Sequence, residues 1–263
     1  MERAVLLGYF ADTSIFSGKI IKGENRGLKN YACRYAEMYY LSYLYVREFL
    51  PPDYHIIFTD CGSELPIDWM VEKFEEPVEF LKENDFKLDF SKKIHIKKFL
   101  NKLDHLNGFP RVFRDWQLIC FENNIDFFLL SSDGLFAYDV SKDLENKDFV
   151  CANFRKDHTG SYVIDQDMLF MSKELLNRQY YGFKNVKEFI EKSQDWTPYN
   201  KYLHCAEGGL TQLYRSSLIR RKAGIMSQKN LFIHDCKVNE LKNFVLKNPI
   251  KHPFLKSYID NLK

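Results

Sequence analysis

A chain of 263 residues with 45% hydrophobic and 28% charged residues is long enough to bury its own core, and a formal net charge of +2 provides no global field that would make nucleic acid its main partner. Six cysteines with no CxxC pair exclude a zinc-ribbon or disulfide-scaffold reading and favour a reduced, cytoplasmic setting. The opening MERAVLLGYF is too short an apolar run for a secretory signal, and no later run reaches the ~18 apolar residues of a membrane span.

In chain order, Ala4 to Phe10 has the length and flanks of a buried strand. Asn30 to Leu50 carries Tyr35, Tyr39, Leu41, Tyr43, Val46 and Leu50 at helical spacing and is stopped by Pro51-Pro52. His55 to Asp60 is β-branched and apolar and breaks at Cys61-Gly62-Ser63, so it reads as a second strand. Residues 66–90 look helical and acidic, Ile94 to Leu100 fits either state, and Arg111 to Asn123 reads as a helix starting after Gly108-Phe109-Pro110. Ile125 to Leu130 is a further strand that runs into Ser131-Ser132-Asp133-Gly134.

Alternating strands and helices predict an α/β fold with a mostly parallel central sheet flanked by helices, whose ligands bind beyond the carboxyl ends of the strands. The second half reads as a strand from Tyr162 to Phe170, a helix from Ser172, an aromatic and polar stretch to His204 and a helix from Gly209. A lobe boundary is expected near Tyr138, giving a ligand-binding lobe over 1–138 and a smaller lobe over 139–263 within one domain. From Thr211 onward eleven Lys or Arg face three acidic residues, Asp235, Glu240 and Asp260, which makes the tail a basic face suited to peripheral contact with anionic lipid.

Asp60 and Asp133 end parallel strands at matching positions. Such carboxylates can accept hydrogen bonds from a nucleoside and ligate Mg2+ or Mn2+, although each residue alone could serve only to start a turn. Ile56-Ile-Phe-Thr-Asp-Cys-Gly-Ser63 resembles the second-strand motif of family 2 GT-A glycosyltransferases, and Gly108 to Phe136, with Arg111, Arg114 and a strand ending in small and acidic residues, follows the same family's order. The resemblance covers the first half of the chain.

The resemblance implies a GT-A, Rossmann-like fold and transfer of a sugar from a nucleotide sugar, a UDP-sugar first, to a saccharide or glycolipid acceptor. Surface polysaccharide or glycan synthesis is the implied setting. It places Asp60 on the base and the family's DxD motif on Ser131-Ser132-Asp133, where Ser131 replaces the first aspartate and Asp133 keeps the metal or diphosphate. Gly8, Tyr9, Gly62, Arg111 and Arg114 join that donor site, where the arginines would offset charge on the leaving diphosphate.

Glu207 is the leading catalytic base, because His204 to Arg215 resembles the family's Glu-Asp segment, with Gly208 where the aspartate would stand. Asp165 and Asp167 are i, i+2 before an apolar run and are placed beside the acceptor, although they also spell DxD. His234 is a candidate third ligand for Mn2+ or Mg2+ beside Asp133, and a packed, hydrogen-bonded histidine is the alternative. Trp196 could face the acceptor. Two rival functions are a sugar-phosphate nucleotidyltransferase and a non-catalytic glycan-binding relative. No P-loop, dinucleotide fingerprint or catalytic-triad motif is present.

Overall fold

The computed structural model describes residues 2–9, 15–16, 19–20, 36–63, 65–99, 105–131, 134–156, 160, 162–164, 167–179, 211, 214–215, 217, 220–234 and 236–261. The elements are β1 (Arg3–Tyr9), β2 (Ile15–Phe16), β3 (Lys19–Ile20), α1 (Glu37–Phe49), β4 (Tyr54–Asp60), α2 (Asp68–Val71), β5 (Val78–Leu81), β6 (Ile94–Lys98), α3 (His105–Asn123), β7 (Phe127–Leu130) and β8 (Leu135–Phe136). They continue with α4 (Ser141–Leu144), β9 (Phe149–Cys151), β10 (Phe154–Lys156), β11 (Tyr162–Ile164), β12 (Met168–Met171), α5 (Lys173–Gln179), β13 (Ala223–Ile225), β14 (Phe232–Ile233), α6 (Val238–Lys247) and α7 (Pro253–Asn261).

Eight strands make the central sheet in the order β13-β9-β12-β7-β1-β4-β6-β5. The pairs β7–β1, β1–β4, β4–β6, β6–β5 and β13–β9 are parallel, whereas β12 is antiparallel to both its neighbours. The fold class is therefore the expected one, α/β with a mostly parallel sheet flanked by helices. β4 is buried at every residue, as continuous apolar runs in a sheet covered on both faces should be. Strands from both halves of the chain share the sheet.

The pleat sorts the core into two layers. Val5, Leu7, Ile56, Phe58, Ile94 and Ile96 face α1, while Ala4, Leu6, Ile57, Phe127 and Leu129 face the layer that holds Val112, Phe113, Trp116 and Ile119 of α3 and Leu175 and Leu176 of α5. α1 is buried at every residue from Met38 to Val46, because α6 and α7 cover the side that the sheet leaves open. Tyr40 meets Phe254 edge-on at 4.8 Å, and Tyr45 sits 6.0 Å from Phe244.

Burying these tyrosines requires partners for their hydroxyls. Tyr40 donates to the Lys73 carbonyl at 3.2 Å, Tyr43 to Glu76 Oε2 at 3.1 Å and Tyr45 to the Asn248 carbonyl at 2.7 Å. Tyr45→Phe keeps the ring and leaves that carbonyl without its donor. We expect a loss of about 1 kcal/mol in urea unfolding.

Three expectations are corrected, and the one left open is settled. Residues 66–90 are not a helix: α2 spans only Asp68–Val71, and β5 pairs with β6. Pro77 cannot donate within a helix and disfavours helical backbone at Glu76, and the Asp85 and Asp89 side chains accept the Lys87 and Ser91 amides in local turns. Ile94–Lys98 is a strand. α3 begins at His105 rather than Arg111, absorbing Gly108 and Pro110. The strand expected over Tyr162–Phe170 is two strands, because β11 folds back on β10 while β12 joins the central sheet.

Ser172 starts α5 by accepting the Leu175 amide on its hydroxyl at 3.1 Å, and Thr211, Tyr214, Arg215 and Ser217 are helical. Cys61, Cys120, Cys151 and Cys236 are buried free thiols, and burial pushes the Cys120 thiol well up. Among the described residues no helix is long and apolar enough to cross a membrane. Cys33, Cys205, Trp196 and the stretch from 180 to 210 lie outside the described residues.

Candidate functional site

The carboxyl ends of the parallel strands bring Tyr9, Asp60 and Ser131 to one edge of the sheet. Asp60 is only 3% exposed, and its carboxylate is occupied by the loop that follows it. Oδ1 accepts the amides of Gly62 at 3.1 Å and Ser63 at 3.0 Å, and Oδ2 accepts the Ile67 amide at 3.0 Å. Burial pushes its pKa up, and the Ser63 and Ile67 amides pull against that. Gly62, at φ +75°, makes the left-handed step that lets the amides turn back onto the carboxylate.

Tyr9 reinforces the same loop. Its hydroxyl donates to the Leu65 carbonyl at 2.9 Å and accepts the Trp69 indole N–H at 2.8 Å, while its carbonyl receives the Cys61 amide at 3.2 Å and the Ser63 hydroxyl at 3.3 Å. Burial pushes the Tyr9 hydroxyl pKa far up. Gly8 lies within β1, paired with Thr59. These residues therefore fix Cys61 to Ser63 and Leu65 to Trp69 against the sheet edge.

A second cluster forms where the strand direction reverses. β12 runs antiparallel to β7 with Met168 opposite Leu130, so the start of β12 lies beside the end of β7. The Ser131 amide donates to the Asp167 carbonyl at 2.6 Å. β14 pairs with β8, Ile233 opposite Leu135, and delivers His234 to the same place. His234 Nδ1 stands 2.7 Å from Asp167 Oδ2, and both side chains are about one-fifth exposed.

Gly134 closes the cluster from beneath. Its amide donates to the Ser131 carbonyl at 2.7 Å, and its own carbonyl accepts the Ser42 hydroxyl from α1 at 3.0 Å. A Cβ there would stand 2.9 Å from the Ser131 carbonyl oxygen, so the close approach of these backbones needs glycine.

The arrangement thus joins Asp167, expected near the acceptor, to His234, expected on a metal. Nothing in the local sequence of either residue links them, because the pairing is made by the β7–β12 and β8–β14 contacts. Arg114 has its guanidinium 3.4 Å from Asp115, whose carboxylate lies 3.8 Å from the buried Lys97 ammonium. Arg111 belongs to α3, and its side chain lies outside the described residues, as do Ser132, Asp133, Asp165 and Glu207. Among the described residues no group of three His, Cys, Asp or Glu could hold a metal ion.

Sequence reasoning missed Lys97 and the pair His55 and His95, all fully buried in the central sheet. His95 and Lys97 sit in the alternation Ile94-His-Ile-Lys97, a strand period with polar residues on every second position, whereas His55 stands in the apolar run of β4.

No protein-family model matches the sequence, and no curated protein matches it. Solved structures do. A putative glucose-1-phosphate thymidylyltransferase from Bacillus anthracis, in complex with sucrose, is 10% identical, with 98% of this chain and 99% of that one covered and a TM-score of 0.49. The mannosyltransferase PcManGT from Pyrobaculum calidifontis, in complex with GDP-Man and Mn2+, is 8% identical over 98% and 67%, with a TM-score of 0.47. The glycosyltransferase GlyE of Streptococcus pneumoniae in its apo form is 10% identical over 87% and 46%, with a TM-score of 0.41, so this chain spans about half its length.

Proposed function

We propose that the chain is a GT-A-type glycosyltransferase that moves a sugar from a nucleotide-sugar donor, a UDP-sugar first, to a hydroxyl of a saccharide or glycolipid. The observation that carries this reading is the cluster of Ser131, Asp167 and His234 at the carboxyl end of β7, beside the β1–β7 pair where the strand order reverses, since α/β sheets bind ligands outside the carboxyl ends of their strands at such switch points. In this reading residues 1–138 supply most of the donor site, joined there by His234 and Asp167 from the second half, and the rest of 139–263 holds the acceptor. The basic tail would rest on a membrane that carries the acceptor, and surface polysaccharide or glycan synthesis is the pathway class.

The donor set is an imidazole with carboxylates, which suits Mn2+ and tolerates Mg2+. His234 and Asp133 are the residues that would hold such an ion, which when bound would offset charge on the diphosphate. In this reading the Asp167 carboxylate, 2.7 Å from His234 Nδ1, orients the ring toward the ion. Asp60, with Tyr9 and Gly62, shapes the loop over the nucleoside, Arg111 and Arg114 serve the diphosphate, and Glu207 or Asp165 takes the acceptor proton.

Thermal-shift measurements with UDP, GDP, CDP and dTDP and their sugars, with and without MnCl2, test the reading. A shift for one nucleotide family, followed by slow hydrolysis of its sugar, is the expected result. Pyrophosphate release from a nucleoside triphosphate and a sugar phosphate would replace it with nucleotidyl transfer. No shift with any of them would remove the donor site.

A further inference from the structure

At the opposite edge of the sheet, near the amino ends of the strands, four ionisable side chains form a single hydrogen-bonded row. Glu2 precedes β1, His55 is in β4, His95 in β6 and Glu79 in β5, in the spatial order of the strands. Glu2 Oε2 is 2.9 Å from His55 Nε2, His55 Nδ1 is 3.2 Å from His95 Nε2, and His95 Nδ1 is 2.6 Å from Glu79 Oε2. Both imidazole side chains are fully buried, whereas Glu2 is half exposed and Glu79 about one-fifth.

Each of these three contacts needs one hydrogen between two heavy atoms that otherwise present lone pairs. Two neutral imidazoles bring one N–H each, and ionised carboxylates bring none. Three contacts therefore need a third hydrogen. Without it, one contact would set lone pair against lone pair in a buried place, which is the costly way to leave a polar group.

We propose that Glu2, His55, His95 and Glu79 form a buried proton-binding site: the folded protein keeps one imidazolium there, shared by the histidine pair and held between two carboxylates. The charge balance is consistent, since two glutamates and one imidazolium leave a single net negative charge at an edge where Glu2 reaches water. The charged groups that face the pair are Glu2, Glu79 and, through space, Asp89, whose backbone amide also donates to Glu79 Oε2 at 3.0 Å. The Phe90 ring closes the site against His55 at 5.1 Å.

A second charge is disfavoured. Burial pulls the His95 ring below its ordinary value, Glu79 pulls the other way and His55 adds a further push down, so the added proton is held by the three short contacts against that burial. That proton ties three neighbouring strands and the lead-in to β1 together, and it latches β5, the edge strand, through Glu79.

The sign follows from linkage. A proton that the three contacts hold in the fold against that burial contributes stability that is lost as pH rises and the proton leaves. Glu2→Gln separates this from other titrations, because its carboxamide N–H can donate to His55 Nε2, supplying the third hydrogen so that the row needs no added proton. Urea unfolding of the full chain from pH 6.5 to 9 should show the wild-type unfolding constant rising more steeply than that of Glu2→Gln, by up to about tenfold per pH unit. Parallel curves overturn the proposal.

Nitrogen-15 spectra of histidine-labelled wild type decide the matter independently if the variant does not fold. One ring of the buried pair should carry hydrogen on both nitrogens at pH 7.5. A bare nitrogen on each ring overturns it.

Discussion

Lys97→Met should lower the unfolding free energy by about 3–5 kcal/mol, the usual cost of removing one partner of a buried charged pair. Lys97 is fully buried in β6, and its ammonium donates to the carbonyls of Glu83 at 2.6 Å, Asp85 at 3.0 Å and Lys82 at 3.4 Å, with Asp115 Oδ2 at 3.8 Å. It also lies 4.2 Å above the Phe86 ring. Methionine matches the length and the apolar stem but donates nothing, so the turn that carries the chain out of β5 loses its anchor.

For a chain of this size such a loss corresponds to a melting temperature lower by roughly 10 °C. Adding Asp115→Asn to Lys97→Met should return part of the stability, because it removes a buried charge that has lost its cation; the coupling between the two changes measures the pair. Equal melting of Lys97→Met and wild type would show that the carbonyls are satisfied without the ammonium. Lys98, the next residue, serves as an internal comparison: it points to solvent and bonds both oxygens of the exposed Asp68 at 2.6 Å, so its replacement should cost less than about 1 kcal/mol.

Lys97 also marks the limit of what the sequence disclosed. The parallel strands were legible, since β1, β4 and β7 are apolar runs bounded by turn residues, and the helix before Pro51 showed its period. The acidic stretch after Pro66 has helical composition, but Pro77 and the short aspartate turns decide its structure locally. His95 and Lys97 lie on a strand whose alternation would normally mean one wet face. Their partners lie at Glu79, in the 82–85 turn and in α3, so burial of those polar groups depends on contacts that no local pattern contains.

The candidate site divides the same way. The strand ends at Asp60 and Ser131 followed from turn chemistry, and the loop after Asp60 is fixed by that carboxylate. Tyr9 came from its position at a strand end, and its link to Leu65 and Trp69 is tertiary. The meeting of Asp167 with His234 requires β12 to reverse direction and β14 to fold back on β8, and neither step has a signature in the residues themselves.

That meeting carries the second large effect. If the cluster is the donor end of a sugar transferase, His234→Ala should reduce hydrolysis or transfer of the donor by about 100- to 1000-fold, the cost of deleting one group that stabilises developing charge. Asp167→Asn should cost less, about 10- to 100-fold, because Asn can still accept the Nδ1 hydrogen but no longer favours that ring orientation with a charge. The double variant should then be no slower than His234→Ala alone, since Asp167 acts through the ring it holds. A multiplicative loss would instead place Asp167 on the substrate directly, as an acceptor-side group. Melting temperatures distinguish both from simple unfolding: each side chain is partly exposed at the sheet edge, and neither substitution removes apolar core.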